Sequence, residues 1–454
     1  MKSLVREKSF YKTFFSMTGI IALQNLIVFS VNLADNVMLT RWSAEALAGV
    51  ALVNQIQFLL QMLMQGIGEG ALVFSSRSWG EGKREPIRAI ANIGMRFALA
   101  VSMLLGILVF AFPEAVLGLL SSDAAIVAAG AEYARIIVFT YPVFAITQIL
   151  LIVLRSVETV RIGFWLSVVA LVSNVSLNYM LIFGKFGLPA LGIRGAAIAT
   201  LLARLIELAV LIVYVRFIDK KISLRTRHFF QKTDRSLVRD YIRVGLPVFL
   251  SGGMWGIAQA MQTAVLGHME GDVISANAVA VTLFQIISVF MYASASSTAV
   301  MVGKALGEGR EELIRPYTRT FQLLFLGIGL ASGLTLFLLR HPILALYANL
   351  SPEAERLSLA FIAILSVTCV GTAYQMPCLT GIVRSGGDTG FVLKNDFIFM
   401  WLIVLPSAAA AAFIFELSPV IVFICLKADQ ILKCFVAVIK INRYNWVRRI
   451  RKAA

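Results

Sequence analysis

Twelve apolar stretches divide this chain of 454 residues from end to end. Each is close to the ~20 residues that carry a helix across a bilayer. They fall at about 13–38, 50–76, 89–112, 127–153, 161–183, 192–217, 240–267, 275–302, 317–339, 355–382, 391–415 and 418–440. Lipid offers no partner to an unpaired backbone amide or carbonyl, so each stretch is expected to be a helix. Charged residues make up only 15% of the chain, against about 25% in soluble domains, and mean hydropathy is +0.83. A water-facing globule is thereby excluded. The first stretch is expected to remain as a span, because it lacks a small-residue cleavage site and eleven more stretches follow.

The chain also reads twice. Ser78-Trp79-Gly80-Glu81-Gly82-Lys83-Arg84-Glu85 recurs as Ala305-Leu306-Gly307-Glu308-Gly309-Arg310-Glu311-Glu312, about 227 residues on. Arg155-Ser156-Val157-Glu158-Thr159 recurs as Arg384-Ser385-Gly386-Gly387-Asp388-Thr389, about 229 residues on. Six spans per half is an even number, so both halves enter the membrane in the same sense. The expected fold is an all-α integral membrane protein. Its twelve transmembrane helices form two six-helix lobes related by a pseudo-twofold axis along the membrane normal. The expected boundaries are 1–218 for the first lobe, 219–239 for a basic linker and 240–454 for the second lobe. A duplicated apolar half is the pattern of transporters that move one half against the other.

The net charge of +16 follows the spans. Most Lys and Arg lie before span 1, after the even-numbered spans, or in the linker with Lys220, Lys221, Arg225, Arg227, Lys232 and Arg235. Arg41, Lys185, Arg194, Arg340 and Arg356 fall on the opposite side, beside the acids Glu114, Asp123, Glu270, Asp272 and Glu353. By the positive-inside rule both termini and the linker are expected to be cytoplasmic, in a multi-pass protein of the cell membrane. The linker is expected to tether lipid headgroups. The bilayer is the expected partner, and nucleic acid is not, because the basic charge is spread over short loops.

No enzymatic constellation stands out. The cysteines, Cys369, Cys378, Cys425 and Cys434, have no zinc spacing, and the three histidines sit at loops or span ends. No H-E-x-x-H, nucleophile elbow or phosphate loop is present, so neither a metal nor a cofactor is expected. Binding and ion exchange remain as the chemistry to look for.

Polar residues inside the spans show where that chemistry would sit. Asn54, Gln57, Gln61, Gln65 and Glu69 recur at steps of three or four, on one face of span 2. Span 8 carries Gln285, Ser288, Tyr292 and Ser296 at corresponding places. Such stripes glue helices together through hydrogen bonds, or they line a water- and substrate-filled cavity. Their repetition in both halves favours the cavity.

Asp35 stands in Val31-Asn32-Leu33-Ala34-Asp35-Asn36-Val37-Met38. Low dielectric disfavours an ionised carboxyl group, which suits proton uptake on one side of a membrane and release on the other. Asn174 and Asn178, one turn apart in span 5, and Thr200 in span 6 are candidate neighbours. The alternative is that Asp35 caps a loop at headgroup level. The pairs Asp429 and Lys433, Arg204 and Glu207, and Glu132 and Arg135 are each three or four apart and are expected to neutralise one another. Glu69 has no such neighbour in sequence and stays a candidate for the cavity.

These residues resemble the multidrug and toxic compound extrusion (MATE) family over nearly the whole chain. The resemblance rests on Asn32 to Met38, Glu45-Ala46-Leu47-Ala48-Gly49-Val50, Asn54-Gln55-Ile56, Gly68-Glu69-Gly70-Ala71 and Ser78 to Gly82. It continues through Asn174 to Gly184, Gly195 to Thr200 and Asp429 to Lys433 with Trp446, and is most specific over Gly381 to Thr389 with Asp396 and Trp401. The resemblance implies a two-lobe exporter with a V-shaped central cavity. Rocking of the lobes would exchange cationic, amphipathic small molecules for H+ or Na+, with no cofactor besides the coupling ion. It carries the coupling residues onto Asp35, Asn174, Asn178 and Thr200. The substrate-cavity candidates are Gln57, Gln61, Gln65, Glu69, Gln285, Ser288 and Tyr292, in a chain expected to act as a monomer.

The chain departs from the family's pattern in several places. Many relatives carry an acid where Asn178 stands. The acid of span 7 in some relatives has no match in Ser251-Gly252-Gly253-Met254-Trp255, and span 10 offers Tyr374 and Gln375. The proline often seen in span 1 is absent, with Gly19-Ile20 near its place. A second-lobe ion site is therefore not expected. One carboxylate with amide neighbours suits a proton better than sodium, which prefers several hard oxygens. One charge moved through 100 mV supplies about 2.3 kcal/mol, enough for a roughly fiftyfold gradient. A flippase for lipid-linked saccharides would want a strongly cationic cavity, and few Lys or Arg lie in the expected cavity walls. A scaffold or receptor would need no repeated polar stripe.

Overall fold

Every element among the described residues is helical, as the absence of backbone partners in lipid requires. The computed structural model describes residues 4–121, 123–225, 228, 231, 233–269, 271–344 and 350–448. Arg227, Lys232 and Glu270, counted above among the loop charges, lie outside them. In order, the helices are α1 (Lys8–Thr40), α2 (Ala44–Gly80), α3 (Arg84–Ala111), α4 (Pro113–Gly118), α5 (Ala124–Ile137), α6 (Thr140–Ser156) and α7 (Arg161–Phe183). They continue with α8 (Gly192–Ile218), α9 (Arg235–Gly267), α10 (Gly271–Gly307), α11 (Glu311–Leu344), α12 (Pro352–Val383), α13 (Thr389–Ile414), α14 (Pro419–Lys427) and α15 (Asp429–Asn442).

Ten of these helices are long and apolar enough to cross a membrane, and the pair α5–α6, bent by 56°, makes an eleventh span. Pro142 in the first turn of α6 accounts for the bend. It has no N–H to donate, and its ring crowds the carbonyl one turn back. The twelfth expected stretch is two shorter helices, α14 and α15, meeting at Ala428. Proline also widens two other helices. Pro377 opens a π-helical turn, Pro377–Val383, inside α12, and Pro406 in α13 stands between π-helical turns at Ile398–Val404 and Ala410–Ile414.

The chain divides into two units, Leu23–Phe249 and the remainder on either side of it. In the first, α2 packs on α3, α5 and α6, and α7 on α8. Apolar burial alone does not hold helices together in lipid, so close approach at small residues carries the packing. A Cβ on Gly49 would lie 2.6 Å from the Gly130 nitrogen on α5, and one on Gly195 would lie 2.4 Å from the Leu181 carbonyl oxygen on α7. A Cβ on Gly70 would lie 2.9 Å from Gly245 Cα, beside the Tyr241 hydroxyl that donates to the Ile67 carbonyl at 2.7 Å. Ahead of α9, hydrogen bonds from the Ser236 hydroxyl and amide hold the exposed Asp234 carboxyl below the usual carboxylate range.

The second unit centres on α12, which packs against α11, α10 and α15. A Cβ on Gly333 would lie 2.4 Å from the Ser366 carbonyl oxygen, and one on Gly371 would lie 2.4 Å from that of Gln430. Phe361 and Phe423 stack at 4.1 Å between ring centroids, a geometry that adds to their area burial. The first residues of α1 join this unit. Phe10 and Phe14 pack against Phe321, and the Val5 amide donates to Thr320 Oγ1 at 3.0 Å.

Each unit carries its own copy of the repeated turn. After α2 the Lys83 amide reaches back to the Ser78 carbonyl at 2.9 Å, with Gly82 at φ +72°. After α10 the Arg310 amide reaches the Ala305 carbonyl at 3.1 Å, with Gly309 at φ +71°. Both close the helix with a left-handed glycine and a six-to-one hydrogen bond, which explains why Gly-Glu-Gly recurs. The second repeat behaves alike. Thr159 N bonds to Leu154 O at 3.0 Å and Asp388 N to Val383 O at 3.3 Å, with Glu158 and Gly387 at positive φ.

Candidate functional site

Asp35, Asn174, Asn178 and Thr200 form one hydrogen-bonded chain within the first unit. Asn174 and Asn178 lie one turn apart on α7, so both amides face the same way. Asn178 Nδ2 donates to Asp35 Oδ1 on α1, and also to Asn174 Oδ1 at 3.1 Å. Asn174 Nδ2 in turn donates to Thr200 Oγ1 on α8 at 3.3 Å. Both asparagines are buried, while Asp35 and Thr200 keep part of their surface open. Asn178 Oδ1 is buried and has no hydrogen-bond partner. It is an acceptor without a donor, on the same amide that already grips the carboxylate.

Two further side chains join this group. Tyr133 on α5, buried, is hydrogen-bonded with Thr200. Arg204, one turn beyond Thr200, acts electrostatically on both Asp35 and Tyr133. Its Nη1 lies 2.8 Å from Glu207 Oε2, and its guanidinium lies over the Phe144 ring at 5.2 Å. Arg204 and Glu207 therefore pair as their spacing predicts. Glu132 and Arg135 do not: Glu132 pairs with Arg194 of α8, and Arg135 with Glu114 of α4 at 2.8 Å. Interhelical partners within reach outcompete the i, i+3 partner there.

The polar stripe of α2 runs from open to closed. Gln61 and Gln65 are exposed, Gln57 is half-buried, and Glu69 is 9% exposed. Glu69 interacts electrostatically with Arg155, at the end of α6. Sequence spacing could not reveal that partner, because helix packing rather than a helical step brings the two together. On α10, in the other unit, Gln285 and Tyr292 are exposed and Ser288 is buried, donating to the Gln285 carbonyl at 2.9 Å.

The second unit holds a charged cluster of its own. Lys433 Nζ lies 3.3 Å from Asp429 Oδ2, as the spacing predicts, and 3.1 Å from Asp396 Oδ1 on α13. Gln430 Nε2 donates to both Asp429 oxygens at 2.9 Å, and its own Oε1 accepts from Thr372 at 2.9 Å and Gln375 at 3.0 Å. Closer to the chain's end, buried Asp388 takes ion pairs from Lys440 at 2.8 Å and Arg448 at 2.9 Å. All four cysteines are free thiols, and no group of metal-ligating side chains gathers among the described residues.

An all-helical, twice-repeated membrane fold with a carboxylate–amide–hydroxyl chain across three of its helices defines a class of polytopic transporter-like proteins. Residues 21–180 and 247–410 match the MatE family model, and the chain belongs to that family. It is 25% identical over 435 residues to a protein of Thermotoga maritima described as "Probable multidrug resistance protein NorM", covering 94% of this chain and 91% of that one. It is 23% identical to "Uncharacterized transporter YisQ" of Bacillus subtilis, covering 90% and 89%. Among solved structures it superposes on an outward-facing multidrug resistance MATE family transporter with TM-score 0.85, at 19% identity and 97% coverage of both chains. The Vibrio cholerae MATE transporter VcmN in its bent form gives TM-score 0.84 at 20% identity, covering 96% and 97%.

Proposed function

We propose that this chain is a secondary efflux antiporter that exports cationic, amphipathic compounds in exchange for protons, coupled through Asp35. The relatives described as multidrug resistance proteins support the substrate class. The observation that carries the coupling is the amide of Asn178, which donates to Asp35 and leaves its own oxygen buried without a donor. A protonated Asp35 supplies that donor, and acid and amide then pair through N–H···O and O–H···O bonds. A sodium ion would need several oxygens, and Asn174 Oδ1 and Thr200 Oγ1 are already accepting hydrogen bonds.

On this reading Asp35 binds a proton on one side, gives it up on the other, and the ionised form admits the cationic substrate. The α2 stripe, Gln57, Gln61, Gln65 and Glu69, is the proposed substrate-contacting face of the first unit. Gln285, Ser288 and Tyr292 on α10 are its counterpart in the second. The test is efflux of ethidium from proteoliposomes under an imposed pH gradient and, separately, a Na+ gradient. The reading expects pH-driven efflux that Asp35→Asn abolishes. Efflux driven by Na+ alone, or unchanged in the variant, would overturn it.

A further inference from the structure

We propose that Asp396 is a cation-binding carboxylate of the second unit, and that Lys433 is a tethered cation which an incoming organic cation displaces from it. The inference rests on the reading of the substrates as cationic amphiphiles and deepens it, by assigning their charge a partner outside the stripes of α2 and α10.

Two carboxylates share Lys433, and their surroundings differ. Asp429, on the same helix, is closed in. Its side chain is 1% exposed and lies 3.3 Å from Lys433 Nζ. Gln430 Nε2 donates to both of its oxygens at 2.9 Å, and Gln430 Oε1 is held in turn by Thr372 and Gln375 of α12. Asp396, on α13, is open, with a side chain 31% exposed. Its Oδ1 accepts from Lys433 Nζ at 3.1 Å, and its Oδ2 accepts from the Ser251 hydroxyl of α9 at a long 3.4 Å. One acid is thus locked and dry, and the other faces outward with one oxygen loosely held.

This asymmetry lets one cation replace another without orphaning a buried charge. A buried ammonium must keep a counter-ion, and Lys433 keeps Asp429 when it gives up Asp396. The flexible four-carbon stem of lysine allows the small withdrawal that this needs. The carboxylate set free is the one with open surface, so a cation from outside reaches it. Two acids and one lysine carry one net negative charge, and one bound monovalent cation makes the cluster neutral, a balance that low dielectric favours. Asp396 and Ser251 offer an inorganic ion few oxygens, whereas an organic cation of diffuse charge needs one carboxylate. Asp396 also stands seven residues into α13, about 10 Å along the helix. It lies toward the end of that span expected to be cytoplasmic, from which an exported compound loads.

The experiment is fluorescence titration of ethidium into the full chain in detergent, with uncharged phenanthridine as the control ligand. Asp396→Asn leaves Lys433 paired with Asp429 and is expected to weaken ethidium binding about tenfold, with either Asp or Asn at position 35, and to leave phenanthridine binding unchanged. Asp429→Asn/Lys433→Met removes the competing ammonium together with its buried partner and is expected to tighten ethidium binding severalfold, a gain that a purely structural cluster would not give. Parent-like ethidium affinity in Asp396→Asn, or an equal loss for phenanthridine, would overturn the inference. Unchanged or weaker affinity in the double variant would overturn the displacement of Lys433, and competition by Na+ lost in Asp396→Asn would reassign the carboxylate to an inorganic ion. A parent that binds no ethidium would remove the substrate reading itself, and this inference with it.

Discussion

Asn178 Nδ2, on α7, donates to Asp35 Oδ1 on α1, while Asn178 Oδ1 is buried with nothing to accept from. One amide thus grips the carboxylate and waits for a donor. Replacing it by a second carboxylate changes the chemistry of the pair. Asn178→Asp places two acids side by side, which share a proton or recruit a metal cation. The expected outcome is a gain of Na+-stimulated efflux, absent in the parent, measured as ethidium release with and without a Na+ gradient. Equal efflux in both conditions would count against the amide's role in ion choice.

Lys433 is bracketed by Asp396 and Asp429, and its side chain and that of Asp429 are 7% and 1% exposed. Lys433→Met leaves two acids without their cation. Breaking a buried pair in this way costs about 3–5 kcal/mol, so the variant should unfold at clearly lower temperature in detergent. The triple variant Lys433→Met/Asp396→Asn/Asp429→Asn carries no orphaned charge and should recover most of the loss. A parent-like melting temperature for Lys433→Met would show that the cluster is not ionised as drawn.

Close helix approach makes a sharper stability prediction. A Cβ on Gly333 would meet the Ser366 carbonyl oxygen at 2.4 Å, whereas nothing lies within 4 Å of one on Gly327 of the same helix. Gly333→Ala should destabilise by about 1–3 kcal/mol through overpacking. Gly327→Ala should be neutral, or stabilising by up to about 1 kcal/mol through helix propensity. The melting temperature of Gly333→Ala should therefore fall, while that of Gly327→Ala stays level or rises.

Asp388 binds the last turn of α15 and the segment that follows it. Lys440 and Arg448 both pair with it, the Arg448 amide donates to the Gly386 carbonyl at 2.9 Å, and Trp446 is fully buried. Asp388→Asn removes the charge that holds both cations, so trypsin should cut after Arg443 and Arg448 earlier than in the parent. Unchanged digestion would mean that Trp446 alone anchors the segment.

The fold was legible in the sequence because span length and composition leave lipid-embedded backbone a single solution. The repeated Gly-Glu-Gly turns were equally plain, since glycine takes the left-handed conformation that closes a helix at least cost. Asp35, Asn174, Asn178 and Thr200 are brought together because Asn174 and Asn178 share a face of α7, a relation that spacing encodes. What spacing could not encode was partners from other helices. Arg155 beside Glu69, Asp396 beside Lys433, Arg194 beside Glu132 and Arg204 near Asp35 all depend on how helices pack. The break of the last span at Ala428 falls between Lys427 and Asp429, charges that span length alone does not weigh.

The most direct test of the account is proton release on substrate binding. Ethidium would be titrated into the detergent-solubilised protein by calorimetry, in two buffers of different ionisation enthalpy, on both sides of neutral pH. The account predicts release of up to one proton per ethidium bound, by linkage between the two sites, and none from Asp35→Asn. Equal release from the parent and from Asp35→Asn, or none from either while ethidium still binds, would contradict it.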